Sequence, residues 1–424
     1  MSTSQPGTSR VEAVLAGQPA VRGWQEDFYR DLHSHPELSH HETRTARRTG
    51  ERLRQAGFEV HGGVGGAGVV GILRNGDGPT VLLRADMDAL PVREATGLPY
   101  ASTATDEAGT PVMHACGHDV HVACLVGAAQ LLADARDVWA GTVVALFQPA
   151  EETGDGARGM LDDGLAGLVP HPDVALAQHV LPFPSGHVAT RSGPTLSAAD
   201  SLRITLHGRG AHGSMPQASV DPVVIAASAV LRLQTVVSRE LAPGEPAVLT
   251  VGSVQAGTKS NVIPDSATLL LNIRTYSDAT RTAMLDAIRR IVTAEGEAAR
   301  APREPEIVSY ESFPLTSNDP AVTARVAEAF AAHFGERAGD LPRQSASEDF
   351  GDVPNALGVP YTYWGIGGID PATYAAAERA GRVNEDIPVN HSATFGPVLQ
   401  PTLDTGTQAL VVAALAWLAP DRPA

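Results

Sequence analysis

The chain has 424 residues, 43% of them hydrophobic, with 31 Lys+Arg against 48 Asp+Glu, a formal charge of 31 − 48 = −17. That length accommodates two domains with separate cores, and the acidic excess excludes the broad basic face that a nucleic acid or an anionic membrane would demand. Lys259 is the sole lysine, so there is no Gly-Lys-Ser/Thr phosphate loop and a single candidate for Schiff-base chemistry.

Met1–Arg10 is polar and lacks the charged-then-apolar pattern of a secretory leader, and the longest apolar stretch, Ala409–Ala419, is too short to span a bilayer. Cys116 and Cys124 lie eight residues apart and do not form a disulfide framework. Together these predict a reduced, cytoplasmic, soluble protein with a frayed N-terminal tail.

In chain order, helical patterns cover Arg22–Leu32 and Thr43–Gln55. Gly63–Gly68 satisfies the dinucleotide spacing G-x-G-x-x-G, but Val69–Gly76 after it reads as a strand closing on a turn rather than a helix, so the glycines are assigned to a hairpin or loop. The apolar runs Thr80–Arg84, Thr142–Gln148 and Asp173–Gln178 read as parallel strands covered on both faces, with a helix over Val120–Ala133 between the first two. Each ends in reactive residues: Asp86 and Asp88, then Glu151 and Glu152, then His179. Ligand sites in open α/β sheets lie outside the carboxyl ends of the strands, so these groups are expected to converge.

From Gly193 to Tyr310 the pattern becomes βαββαβ: Ser201–His207, Asp221–Arg239, Ala247–Val254, Ala267–Thr275, Asp278–Ala299 and Glu306–Tyr310, the split ferredoxin-like unit. Such a layer between two stretches of one α/β domain reads as an insertion. The expected organisation is a catalytic domain over 1–192 and 311–424, ending in the helix Pro401–Leu418, interrupted by an inserted domain over 193–310.

Three histidines, a cysteine and an aspartate fall within His114–His121. The plain reading is an exposed loop with Asp119 capping the helix that follows. The chemical reading is that Cys116 and His118 offer a thiolate and an imidazole to one divalent metal. Glu151 and Glu152 would point to opposite sides of an extended backbone, one ligating and one free to take a proton, or would form a solvated acidic turn. His179 is a core histidine or a ligand. His391 either opens the last helix, with Ser392 or Thr394 as cap, or is a fifth ligand. Cys116, His118, Glu152, His179 and His391 together suffice for two metal ions sharing a bridging water.

The stretches Arg84–Pro91, Met113–Asp119, Phe147–Glu152, Gly210–Gly213, Asn261–Asp265 and Ser347–Phe350 resemble, in order and over nearly the whole chain, the metal-dependent amidohydrolases. That family includes hippurate hydrolases, N-acyl-amino-acid deacylases and auxin-conjugate hydrolases, relatives of the dinuclear zinc aminoacylases and carboxypeptidases. The resemblance implies a mostly parallel-sheet, zinc-peptidase-like α/β catalytic domain and an inserted ferredoxin-like dimerisation and lid domain. It implies Cys116, His118, Glu152, His179 and His391 as ligands of two divalent ions (zinc, manganese, nickel or cobalt), and Glu151 as general base. Asp88 would steer a ligand, and Asp86 stands where the wider superfamily has a ligating histidine, a duty the Cys116/His118 pair takes over here. His212 would polarise the scissile carbonyl in the partner subunit's site, while Asn261 and Arg274 hold the substrate carboxylate.

The expected substrate is an N-acyl amino acid, and the expected assembly a homodimer or dimer of dimers through the insert. Val389–Phe395 around His391 is more polar than the family's usual context. Two rival readings are a thiol amidase with Cys116 as nucleophile and His118 or His121 as base, and a non-catalytic protein binding metal or amino-acid conjugates.

Overall fold

The computed structural model describes residues 9–418, which divide into two compact units. The first is built on an eight-stranded mixed sheet. β1 (Glu59–Val64) and β2 (Gly68–Asn75) form an antiparallel hairpin across the glycine-rich Gly63–Gly68 segment, and β2 then pairs antiparallel with β4 (Gly141–Gln148). From β4 the sheet runs parallel through β3 (Thr80–Asp86), β5 (Val174–Pro184) and the strand Tyr361–Ile369. β6 (Val188–Thr190), antiparallel to that strand, and Ala338–Asp340 complete the sheet.

Every residue of β3 and of Tyr361–Ile369 is buried, as continuous apolar runs covered on both faces require. The helices α2 (Gln18–His33), α3 (Thr43–Gln55) and α4 (His118–Asp134) belong to this unit, as does Leu399–Trp417. Val122, Leu125, Leu410 and Val411 from two of them share its core with Leu83 and Val143 of the sheet.

The frayed tail expected at Met1–Arg10 lies largely outside the described residues. Ser9 and Arg10 depart from it: Ser9 caps α1 (Arg10–Leu15) in a capping box with Glu12. Asp119 is not the cap of α4. The helix starts two residues earlier than expected, at His118, with Gly117 as N-cap at φ 83°, and its first turn is buried rather than exposed. A Cβ at Gly117 would lie 2.4 Å from Val180 Cγ1, so this close approach admits only glycine. His391 does not open the last helix either. It occupies a left-handed turn at φ 70°, and Val398 precedes the helix.

The second unit comprises Leu196–Thr316 and Gln344–Glu348. Its antiparallel four-stranded sheet has the order Ala247–Ala256, Ser266–Thr275, Ala198–His207, Glu306–Phe313. Pro222–Thr235 and Asp278–Ala298 are its helices, in the βαββαβ order. The short segment Gln344–Glu348, outside an uninterrupted 193–310 insert, is tied in by Tyr276 Oη donating to the Gln344 carbonyl (2.8 Å) and Ser197 Oγ donating to the Ser345 carbonyl (3.0 Å). Pro222–Glu240 is long and apolar enough to cross a membrane by length and composition alone. Its Ile225, Ala229, Leu233 and Val236 are nevertheless packed into the core of this unit, as in an ordinary amphipathic helix.

Candidate active site

The first unit gathers its reactive side chains where β3 and β4 end and midway along β5, which runs on past the expected end at His179 to Pro184. β3 terminates in Asp86, two residues before Asp88. β4 leads through Ala150 into Glu151 and Glu152, and His179 lies on β5. Gly117 bends the chain so that Cys116 precedes α4 and His118 begins it. The His391 turn is stapled to the same place: His391 N–H donates to the Ala115 carbonyl (2.8 Å), and Asn390 Nδ2 to the carbonyls of Cys116 and Val180 (3.1 Å each).

The five expected ligands come together. Ligand atoms of Cys116, His118 and His179 lie within 4.8 Å of one another, as do those of Cys116, Glu152 and His391 and those of His118, Glu151 and Glu152. Cys116 Sγ is 3.4 Å from His179 Nε2, and His391 Nε2 is 3.3 Å from Glu152 Oε1. Ring orientation follows from the outward nitrogens. His179 Nδ1–H donates to the Val180 carbonyl (2.8 Å), and His118 Nδ1–H to Asp88 Oδ1 (3.1 Å), leaving each Nε2 facing the cluster.

Asp88 also accepts from Glu152 N–H (2.9 Å) and Ser39 Oγ (2.8 Å) through its other oxygen. One carboxylate thus orients two ligand-bearing residues.

The donor set fits divalent metal ions. His118 Nε2 is buried without a hydrogen-bond partner, which is costly unless a cation completes it. Thiol, imidazole and carboxylate together suit a borderline-soft metal. The electrostatics agree. Burial alone would lower the His118 pKa, but Asp86, Cys116 and Asp88 outweigh it and hold it well above the ordinary imidazole value; a field that favours a proton there also favours a metal ion. Hydrogen bonds to Cys116 and Glu152 likewise raise His391 to about 10. Burial and the neighbouring His121 push His179 well down, so its Nε2 carries no proton that metal would have to displace.

Asp86 has another duty. Its two oxygens accept from His121 Nδ1 (2.5 Å) and Arg84 Nη1 (2.6 Å), and His121 Nε2 accepts from Val180 N–H (2.8 Å). Both partners are therefore spent on hydrogen bonds within a buried network. Burial would raise Asp86, but His118, His121 and Arg84 outweigh it and keep it ionised. Arg84 reaches onward to Gln148 Oε1 (3.0 Å) and Asp349 Oδ1 (3.3 Å). Sequence reasoning assigned no role to Arg84, Gln148, Asp349 or Asn390; the available signal was a charge, Arg84, inside an apolar strand.

The thiol reading loses one of its two candidate bases, because both ring nitrogens of His121 are taken by hydrogen bonds. Burial and Glu152 also raise the Cys116 thiol above its ordinary pKa, the opposite of an activated nucleophile. Cys116 and Cys124 are both free and buried.

His212, Asn261 and Arg274 belong to the second unit. His212 pairs with Val262, and Gly213 N–H donates to the Asn261 carbonyl (2.8 Å), so a small two-stranded antiparallel pairing of segments distant in sequence brings His212 and Asn261 side by side. His212 Nδ1 accepts from Ser214 N–H (3.1 Å), which leaves the proton on Nε2. Arg274 stands on a separate strand, Ser266–Thr275, with Nη1 donating to the Ser345 carbonyl (2.8 Å) and Ser347 Oγ (3.2 Å).

A largely parallel sheet that gathers thiol, imidazole and carboxylate ligand atoms beside a further carboxylate defines a metal-dependent hydrolase. The model of peptidase family M20/M25/M40 matches residues 82–393, and the chain belongs to that family. Thermostable carboxypeptidase 2 of Saccharolobus solfataricus is 38% identical over 321 residues, 74% of this chain and 79% of the relative. Hippurate hydrolase of Campylobacter jejuni is 36% identical over 335 residues, 78% and 85% of the two chains. A crystal structure of a dinuclear metal binding peptidase of the M20 family from Bacillus subtilis superposes with a TM-score of 0.75 at 28% identity, covering 94% of this chain and 98% of that one.

Proposed function

We propose that the protein hydrolyses the amide bond between an acyl group and the nitrogen of an amino acid. The observation that carries this reading is Glu151, buried with its Oε2 4.0 Å from the partnerless His118 Nε2: a carboxylate beside the ligand cluster and additional to the five ligands. Cys116, His118, Glu152, His179 and His391 would hold two divalent ions, with zinc, manganese, nickel and cobalt all compatible with the donors. When bound, such a pair acidifies water and polarises a carbonyl.

Glu151 then takes the proton of the attacking water and returns it to the departing amine nitrogen. His212, with its proton on Nε2, donates to the carbonyl oxygen as charge develops there, acting on the second copy of the chain. Asn261 and Arg274 hold the amino-acid carboxylate, with Arg274 fixed in direction by its bonds to Ser345 and Ser347.

The assembly is a homodimer or dimer of dimers through the inserted domain, Gly193–Tyr310. Support comes from exposed apolar residues on that unit: Val248 and Val254 on an edge strand, Val224 and Leu231 on a helix. A cytoplasmic location suits a thiolate ligand that oxidation would destroy. The hippurate hydrolase relative supports aromatic acyl groups as substrates. The test is a panel of N-acetyl, N-benzoyl and longer N-acyl amino acids with released amino acid as readout. Turnover of at least one class is expected, and ligand binding without turnover across the panel would instead favour the non-catalytic reading.

A further inference from the structure

Ala150 links the end of β4 to the two carboxylates, and its backbone is left-handed at φ 52°. That conformation is unfavourable for any residue with a Cβ, so something must hold it. Part of the restraint is local. The Ala150 carbonyl accepts from Gly156 N–H (3.1 Å) and from Thr153 Oγ1 (3.3 Å), and the Glu151 carbonyl from Gly154 N–H (2.8 Å). A Cβ at Gly156 would fall 1.7 Å from the Pro149 carbonyl oxygen, so the turn is folded tightly on itself.

One restraint comes from far away in sequence. Ala150 N–H donates to Glu42 Oε1 at 2.8 Å, in a buried bond spanning 108 residues. Glu42 is fully buried at the start of α3, and its Oε2 has no hydrogen-bond partner. A buried carboxylate with an orphan oxygen is a poor choice for stability alone. Departures of that kind concentrate where function requires them.

We propose that Glu42 is a positioning residue: by holding the Ala150 peptide left-handed, it sets the direction of the Glu151 carboxylate. The inference rests on Glu151 being the base of the proposed hydrolysis. Burial and Asp88 push the Glu42 carboxyl up to about 7. Oε1 accepts from Ala150 whether or not Oε2 carries a proton, so glutamine can replace it in this role.

The experiment compares Glu42→Ala, Glu42→Gln and the double variant Glu42→Ala/Ala150→Gly in the full-length, metal-loaded protein. Readouts are kcat and KM on a substrate the wild type turns over, bound metal, and hydrogen exchange at the Ala150 amide. Glu42→Ala is expected to lower kcat by about 10–100-fold, the scale of a misplaced catalytic group, with KM and metal content within twofold. Glu42→Gln should lose no more than about threefold. Glycine at 150 adopts positive φ without the steric penalty, so the double variant should recover several-fold over Glu42→Ala.

Ala150 amide protection should fall in Glu42→Ala and persist in Glu42→Gln. If Glu42→Ala does not fold, Glu42→Gln against Glu42→Asp, which is one methylene too short, makes the same comparison. A kcat within twofold of wild type, or a loss of metal proportional to the loss of rate, would overturn the proposal. Should the wild type hydrolyse nothing on the panel, the functional reading fails instead, and amide exchange still reports whether Glu42 holds the turn.

Discussion

Asp88→Asn changes one atom at a carboxylate that accepts three hydrogen bonds. The wild-type side chain gives one oxygen to His118 Nδ1–H and the other to Glu152 N–H and Ser39 Oγ. Asparagine has a single acceptor oxygen. With that oxygen kept toward Glu152 and Ser39, its NH2 meets His118 Nδ1, which must then accept, and the imidazole proton moves to Nε2, where it blocks ligation. With the amide reversed, two donors face each other at Glu152.

Either way one charge-assisted hydrogen bond is lost, worth about 1.5–3 kcal/mol. At about 1.4 kcal/mol per tenfold, metal affinity should weaken by about 10–150-fold, close to the effect typical of outer partners of metal ligands. Competition against a chromophoric chelator at fixed pH measures this directly, with a thermal melt to confirm that the variant is folded. Folded Asp88→Asn binding two equivalents within threefold of the wild-type Kd would refute the reasoning that His118 is steered through Nδ1.

Glu151→Gln should keep both metal equivalents and lose about 10²–10⁴-fold in kcat; metal analysis with steady-state kinetics checks it, and unimpaired turnover would remove Glu151 as base. Gly117→Ala combines a positive φ of 83° with a Cβ 2.4 Å from Val180 Cγ1, for a destabilisation of about 2–4 kcal/mol in urea unfolding; a loss under 0.5 kcal/mol would show that the close approach is easily relieved. His212→Ala should lower kcat by about 10²–10³-fold with metal content unchanged, and an unchanged kcat would remove it from the chemistry.

Much of this was legible in the residues. Uninterrupted apolar runs marked β3, β4 and β5, and the arginine-rich amphipathic pattern marked Thr43–Gln55 to its ends. What periodicity missed was the strand Tyr361–Ile369, because Gly365, Gly367 and Gly368 interrupt it like a turn. They are there for contact: a Cβ would come 2.9 Å from Leu181 at Gly365, 1.9 Å from the Pro184 carbonyl oxygen at Gly367 and 2.7 Å from Val180 at Gly368.

The ligand types could be named from spacing and resemblance, since all but His179, which sits midway along β5, lie at a strand end or an abrupt turn. Their supports could not. Asp86 with His121, Glu42 with Ala150, and Asn390 with Cys116 are partners 35, 108 and 274 positions apart, joined only by the sheet order. Asp119 illustrates the converse. It has the composition of a cap, but its carboxylate is taken by His33 Nδ1 at 2.6 Å, and the tight turn beside Val180 leaves the capping position to glycine.

The central claim is a metal-dependent hydrolysis of N-acyl amino acids at the Cys116, His118, Glu152, His179 and His391 cluster. Its most direct test strips the protein with a chelator, then titrates zinc, manganese, nickel or cobalt back while following release of amino acid from an N-acyl substrate. Turnover should vanish on stripping and return with added metal, saturating near two equivalents per chain. Hydrolysis that persists at full rate in the stripped protein would contradict the account.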